Sequence, residues 1–200
     1  MLDVTVISEL EIVARGGAEQ ASQAISAFTG REVRIEVSAV DTVPIEEVPE
    51  RLGESDQPAV GLLSRICGDV TGNAALIFND AGAKRLIQWL GGRVGCTTEP
   101  VLDDMQRSML EETANITISS FMNNVASHLG VRCVPNAPVC LFDMAGAILS
   151  VLLLESAEVA DRALMFSTVF GSDDHTLEAV LVFLPSPNSL DQLREGLASE

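Results

Sequence analysis

The chain of 200 residues repeats itself at an offset of one hundred, and this restricts its folds more than any other feature. Ser8 matches Ser108, Glu11 matches Glu111, Ala14 matches Ala114 and Gly30 matches Gly130. The first half predicts a helix over about Val6 to Phe28, stopped by Gly30, because a glycine past a helix end takes positive φ without strain. Gly16 and Gly17 weaken its middle. A strand over Arg31 to Val40 follows by alternation, then a turn-rich acidic stretch from Asp41 to Pro58. Val60 to Cys67 and Asn73 to Phe78 read as a hairpin around Gly68-Asp69-Val70-Thr71-Gly72. A helix over Ala81 to Leu90 is capped by Asn79 or Asp80 and ends at Gly91-Gly92. The second half starts again: a helix over Leu102 to Leu129, stopped by Gly130, then a strand over Arg132 to Phe142. Ala145 to Glu155 fits helix or strand. Arg162 to Phe170 and Leu177 to Leu184 pair around Gly171-Ser172-Asp173-Asp174, and Ser189 to Leu197 closes the chain as a helix. The offset drifts in the later strands. The expected fold is α+β, a two-layer sandwich in which two long helices lie side by side on one continuous sheet. One domain would span 1–200, built from an αβ unit repeated over about 1–100 and 101–200.

Charge narrows the partners. Twelve basic residues against twenty-nine acidic give a net charge of -17. Nucleic acid and anionic membrane surfaces repel such a chain, and a partner carrying a basic patch or a bound cation is favoured. The longest apolar run, Ala145 to Leu154, is too short to span a bilayer. Cys67, Cys96, Cys133 and Cys140 show no C-x-x-C spacing, which with the N-terminal sequence points to reduced thiols in a cytosolic protein. His128 and His175 have no set of metal ligands near them in sequence. No Ser/His/Asp or Cys/His arrangement has a recognisable spacing. The glycine-flanked loop at Gly68 to Gly72 lacks the lysine and following helix of a phosphate loop.

The second long helix carries one polar stripe. At ~100° per residue, Ser108, Glu112, Asn115 and Ser119 fall in a narrow arc. Leu110, Ala114, Thr117, Phe121 and Val125 lie opposite, flanked by Met105, Met109 and Ile116. In the first copy, the positions of Glu112, Asn115 and Pro138 hold Ile12, Arg15 and Ser38. A stripe needed only for packing should survive in both copies, so its presence in one suggests a site. Glu111 has its counterpart in Glu11 and reads as a solvated charge.

Ser108, Glu112, Asn115 and Pro138 keep the spacing [Asp/Ser]-x3-Glu-x2-Asn-x22-Pro. This resembles the signature of the CheC/CheX/FliY family of chemotaxis phosphatases. Gly30-Arg-Glu-Val33, Val43-Pro-Ile-Glu-Glu-Val-Pro49 and Gly68-Asp-Val-Thr-Gly72 also look like family segments. The resemblance covers about Ser8 to Leu184, and the duplicated plan looks like CheC. Members often carry one signature per repeat; here Glu, Asn and Pro are missing from the first, which implies one site.

The resemblance implies a cytoplasmic hydrolase acting on the aspartyl phosphate of the response regulator CheY. Asn115 would orient the attacking water and Glu112 would engage the receiver lysine near the phosphate. Ser108 and Pro138 would support the motif without taking part in the chemistry. The phosphatase needs no cofactor or metal of its own, since Mg²⁺ is expected on the regulator. The alternative is a non-catalytic adaptor that binds CheD or a CheY-like receiver, or an interaction module related to the flagellar switch. The positions Ile12 and Arg15 could then form a docking surface on the first helix.

Overall fold

A computed structural model describes residues 4–51, 56–91, 102–154, 161–172 and 175–197. Cys96, Gly92, Glu155 and the turn residues Asp173 and Asp174 lie outside these ranges, as do 52–55 of the acidic stretch. The elements in order are α1 (Val4–Thr29), β1 (Arg34–Pro44), a short 3-10 turn (Ile45–Glu47), α2 (Val48–Arg51), β2 (Pro58–Gly68), β3 (Gly72–Asn79), α3 (Asp80–Trp89), α4 (Asp104–Leu129), β4 (Cys133–Pro135), β5 (Val139–Met144), α5 (Ala145–Leu154), β6 (Arg162–Ser172), β7 (His175–Pro185) and α6 (Pro187–Leu197).

All seven strands join one antiparallel sheet in the order β1-β6-β7-β3-β2, with β4 and β5 both along the outer side of β2. Strands of the two halves are interleaved: β1 pairs with β6, and β5 pairs with β2. The β2–β3 and β6–β7 hairpins meet along β3 and β7 at the centre. Exchanging the halves leaves this order unchanged. The expected α+β class, with two long helices on a continuous sheet, is what is found.

One face of the sheet is covered by α1, α3, α4 and α6 over a core that includes Leu62, Leu76, Phe78, Phe121, Phe166 and Phe183. Phe121 of α4 meets Phe166 of β6 edge to face, ring centroids 5.8 Å apart. The other face carries a smaller core under α5, with Ile148, Leu149 and Leu152 on Ala59, Ala75, Ala163 and Val182. The apolar run at 145–154 is therefore a helix. Gly61 leaves room for it, because a Cβ there would overlap Ile148.

Helices α1 and α4 run antiparallel. Glu9 faces His128 (Oε2 to Nε2, 3.9 Å), Gly16 faces Asn124 and Gly17 faces Phe121. A Cβ on Gly17 would stand 2.8 Å from the Phe121 backbone. The glycine that weakens the helix by propensity thus lets the pair close.

Three stretches differ from the expectation. The stretch read as turn from Asp41 begins as strand, since β1 runs on to Pro44 and its pairing with β6 extends to Arg162; helical turns follow at 45–51. The single strand expected over Arg132 to Phe142 is two, β4 and β5. The first strand begins at Arg34, three residues later than expected.

Candidate functional site

Helix α4 is fixed at both ends and along one side. Asp103 caps it: its Oδ1 accepts from the Gln106 N–H (2.8 Å) while Gln106 Oε1 accepts from the Asp103 N–H (3.0 Å). Together these satisfy two of the free donors at the helix start. Gly130 ends it at φ 65°, a left-handed conformation costly for residues with a Cβ. Thr113 and Thr117 face the core and bury their hydroxyls by donating to the carbonyls of Met109 and Thr113, both at 2.8 Å.

The side toward β5 is held by two charged residues. Glu111 Oε1 accepts from the Cys140 N–H (3.1 Å), and Arg107 Nη1 donates to the Cys140 carbonyl (3.3 Å). One helical turn apart, the two side chains bond the outer edge of β5 as a neighbouring strand would. Glu111, expected as a solvated charge, is therefore an anchor. A sequence cannot show this, because the partner is a backbone group 29 positions away. At the opposite edge, Ser22 and Ser26 of α1 accept from the N–H groups of Ile35 (2.8 Å) and Val33 (2.9 Å).

This anchoring sets the rotation of α4. Leu110, Ala114, Phe121 and Val125 are buried. Ser108 is exposed, and Glu112, Asn115 and Ser119 are half-buried along the outer stripe. Among the described residues, neither Glu112 nor Asn115 has a hydrogen-bond or ion-pair partner, although Glu111 beside them does. Met105 extends the stripe instead of flanking the buried side, at 67% exposure.

Pro138 is buried one strand away. Ile66 pairs with Pro135 and Leu63 with Val139, so Ser64 and Arg65 stand opposite Asn136, Ala137 and Pro138. The extra residue makes a bulge that separates β4 from β5. Asn136 closes it, donating its N–H to the Arg65 carbonyl (2.8 Å) and accepting at its carbonyl from Ser64 Oγ (2.7 Å). Proline suits such a position, having no N–H to leave unpaired. Pro138 lies two residues before Cys140, on the face that α4 covers. The motif residues thus divide into an exposed helical stripe and a buried proline beneath the helix.

Burial pushes the Cys133 thiol up to about 11, helped by Asp69. Burial likewise raises Cys140 to about 11, with Arg107 opposing and Glu111 adding to it. Both thiols stay protonated near neutral pH and are poor nucleophiles. Among the described residues, no group of three His, Cys, Asp or Glu side chains is placed to hold a metal ion. No helix among them is long and apolar enough to cross a membrane.

The fold is shared with solved structures of FliY and FliM. FliY of Thermotoga maritima superposes with a TM-score of 0.77 at 14% identity, over 99% of this chain and 98% of that one. The FliM middle domain of H. pylori does so at 0.68 and 13%, over 98% and 99%. The chain is 27% identical over 186 residues to the CheY-P phosphatase CheC of Bacillus subtilis, covering 92% of this chain and 89% of that protein. It is 25% identical over 186 residues to the putative CheY-P phosphatase CheC1 of Halobacterium salinarum, covering 92% of each. No family model matches the chain. The structural likenesses define a chain of the FliY/FliM fold. In sequence it is similar to proteins named CheC, over 92% of its length.

Proposed function

We propose that the chain hydrolyses the aspartyl phosphate of a CheY-type response regulator, through one site on α4. The observation that carries this reading is the pair Glu112 and Asn115. They are one turn apart, half-exposed and unengaged, while the nearby side chains at 106, 107, 111, 113 and 117 are bonded. The relatives in B. subtilis and H. salinarum, named as CheY-P phosphatases, support it.

The chemistry asks little of the phosphatase. An acyl phosphate is already reactive, and the receiver's own bound cation offsets its charge. Asn115 presents a neutral carboxamide with both donors and an acceptor. It holds a water in line with the phosphorus–oxygen bond of the phosphoaspartate. The water oxygen bonds to phosphorus and the bond to the carboxylate oxygen breaks; the water's protons go with the phosphate, which leaves as inorganic phosphate, and the receiver's aspartate carboxylate is restored. Placing the water removes much of the entropic cost of that step. Glu112 pairs with the receiver lysine beside the phosphate and fixes the approach of the two proteins. Bond-making is thus assigned to a water, and the two side chains position it.

Phosphate decay on each purified receiver, with and without the protein, tests the reading. The protein is expected to accelerate decay, and Asn115→Ala to remove at least about 99% of the acceleration, the order seen when an oriented polar group is lost from a reacting centre. Unchanged decay, or full activity in the variant, would sink it. The FliM likeness favours a second reading, in which the same fold acts as a binding module; FliM is found in complex with FliG. Receiver binding without accelerated decay would favour that reading.

A further inference from the structure

We propose that Met105, Met109 and Phe28 form the apolar docking surface on which the phosphorylated receiver seats while Glu112 and Asn115 reach its phosphate. This rests on the reading above and adds a partner-contact surface to that site. Two of the three side chains are large and apolar yet mostly in solvent: Met105 is 67% exposed and Phe28 is 62% exposed. Met105 precedes Glu112 by seven residues, about two turns, and so continues the same stripe. Met109 lies between, half-buried against the core.

Phe28 belongs to the other helix but reaches the same place. Along the antiparallel pair, Glu9 meets His128, Gly16 meets Asn124 and Gly17 meets Phe121. Carried to the end of α1, this register sets Phe28 beside the turn of α4 that holds Met109. The internal repeat supplies the control. The counterparts of Met105, Met109 and Phe28 are Thr5, Glu9 and His128. At the end of the helix pair where Glu112 and Asn115 are replaced by Ile12 and Arg15, Glu9 and His128 face each other as a polar pair. The methionine and phenylalanine group therefore occurs at the end that keeps the signature, while the other end exposes a single Ile12 beside a polar pair.

The size of the surface around Asn115 selects the occupant. A protein interface of ordinary size covers roughly 800 Å² on each partner, a disc of about 16 Å radius. From Asn115, Met105 lies ten residues along the axis, about 15 Å. Phe28 lies about 8 Å along the axis and one helix spacing of about 9 Å across. A receiver whose phosphate sits at Asn115 covers this patch, and exposed methionine and aromatic groups are the side chains that such contacts favour.

The test uses the full-length chain with Phe28→Ser, Met105→Ser and the double variant, and Ile12→Ser as control. Phosphate decay is followed against receiver concentration. Binding is followed with the receiver in its beryllofluoride form, a stable mimic of the acyl phosphate. The double variant should raise the half-saturating receiver concentration and the dissociation constant about tenfold, with turnover at saturation within twofold and Ile12→Ser unchanged. Unaltered half-saturation and binding in the double variant would overturn the patch, as would an equal effect of Ile12→Ser. So would loss of a self-associated form, seen by sedimentation, with receiver binding intact. A wild-type protein that binds the beryllofluoride receiver without hastening decay overturns the catalytic reading, and the dissociation constants then judge the patch. A wild type that does neither overturns both.

Discussion

Glu112 and Glu111 are adjacent, chemically alike and differently used. Glu111 holds the Cys140 N–H, while Glu112 has no partner among the described residues. Their roles should separate by experiment. Glu112→Gln keeps size and polarity but removes the charge, so stability should hold. In decay assays the half-saturating receiver concentration should rise about tenfold, roughly 1.4 kcal/mol of attraction, and its salt dependence should weaken. Glu111→Ala should instead leave the Cys140 N–H unpaired and lower unfolding free energy by about 1–3 kcal/mol in urea titration. The two raised thiols give a pH signature. A folded-state value above the unfolded one means that the native state holds the protons more tightly. The stability they contribute is complete below the ordinary thiol value of 9.0 and is lost as pH rises toward about 11. Urea midpoints should therefore fall across that window, and less so in Cys133→Ala/Cys140→Ala, compared with its own value at pH 8. The stripe of Glu112 and Asn115 was legible because helical spacing is local and the repeat supplied a comparison. The anchor at Glu111 was not, because identical side chains on neighbouring positions differ only in what the fold brings to them.

At the scale of elements, the helix pair turns on one glycine. Gly17 is unfavourable in a helix by about 1 kcal/mol relative to alanine, yet any side chain would meet the Phe121 backbone. Gly17→Val should cost about 1–3 kcal/mol by forcing α1 and α4 apart. Thermal unfolding measures it, and a stabilised variant would show that the contact is looser than described. Helix and strand positions in the first half were largely readable from periodicity and glycine stops, as at α3 and the β2–β3 hairpin. The break between β4 and β5 was not. It depends on three residues facing two across to β2, a register that no local pattern encodes. The run at 145–154 resisted assignment for a related reason: its helical state is matched to the gap over Gly61.

At the scale of the molecule, neither half has a complete sheet. The outer strand of each is paired with the other half, β1 on β6 and β5 on β2. Fragments 1–100 and 101–200 expressed separately should each lack a cooperative unfolding transition, and the whole chain should unfold in one step. Far-ultraviolet circular dichroism and the fluorescence of Trp89 should then trace coincident curves in urea. A stable isolated half would contradict this. The likeness of the two halves was visible in sequence, but the exchange of strands was not, because pairing between distant segments leaves no local trace.

The β1–β6 pairing also bears on how the chain emerges during synthesis. β1 ends at Pro44 and its partner begins at Arg162. At about 5–20 residues per second, the ribosome takes roughly 6–24 s to make the intervening chain. Throughout that interval Ser22 and Ser26 can cover one edge of the nascent strand, while the other remains open to any passing neighbour. For this protein the open edge of β1 is therefore a hazard that falls before the chain is released.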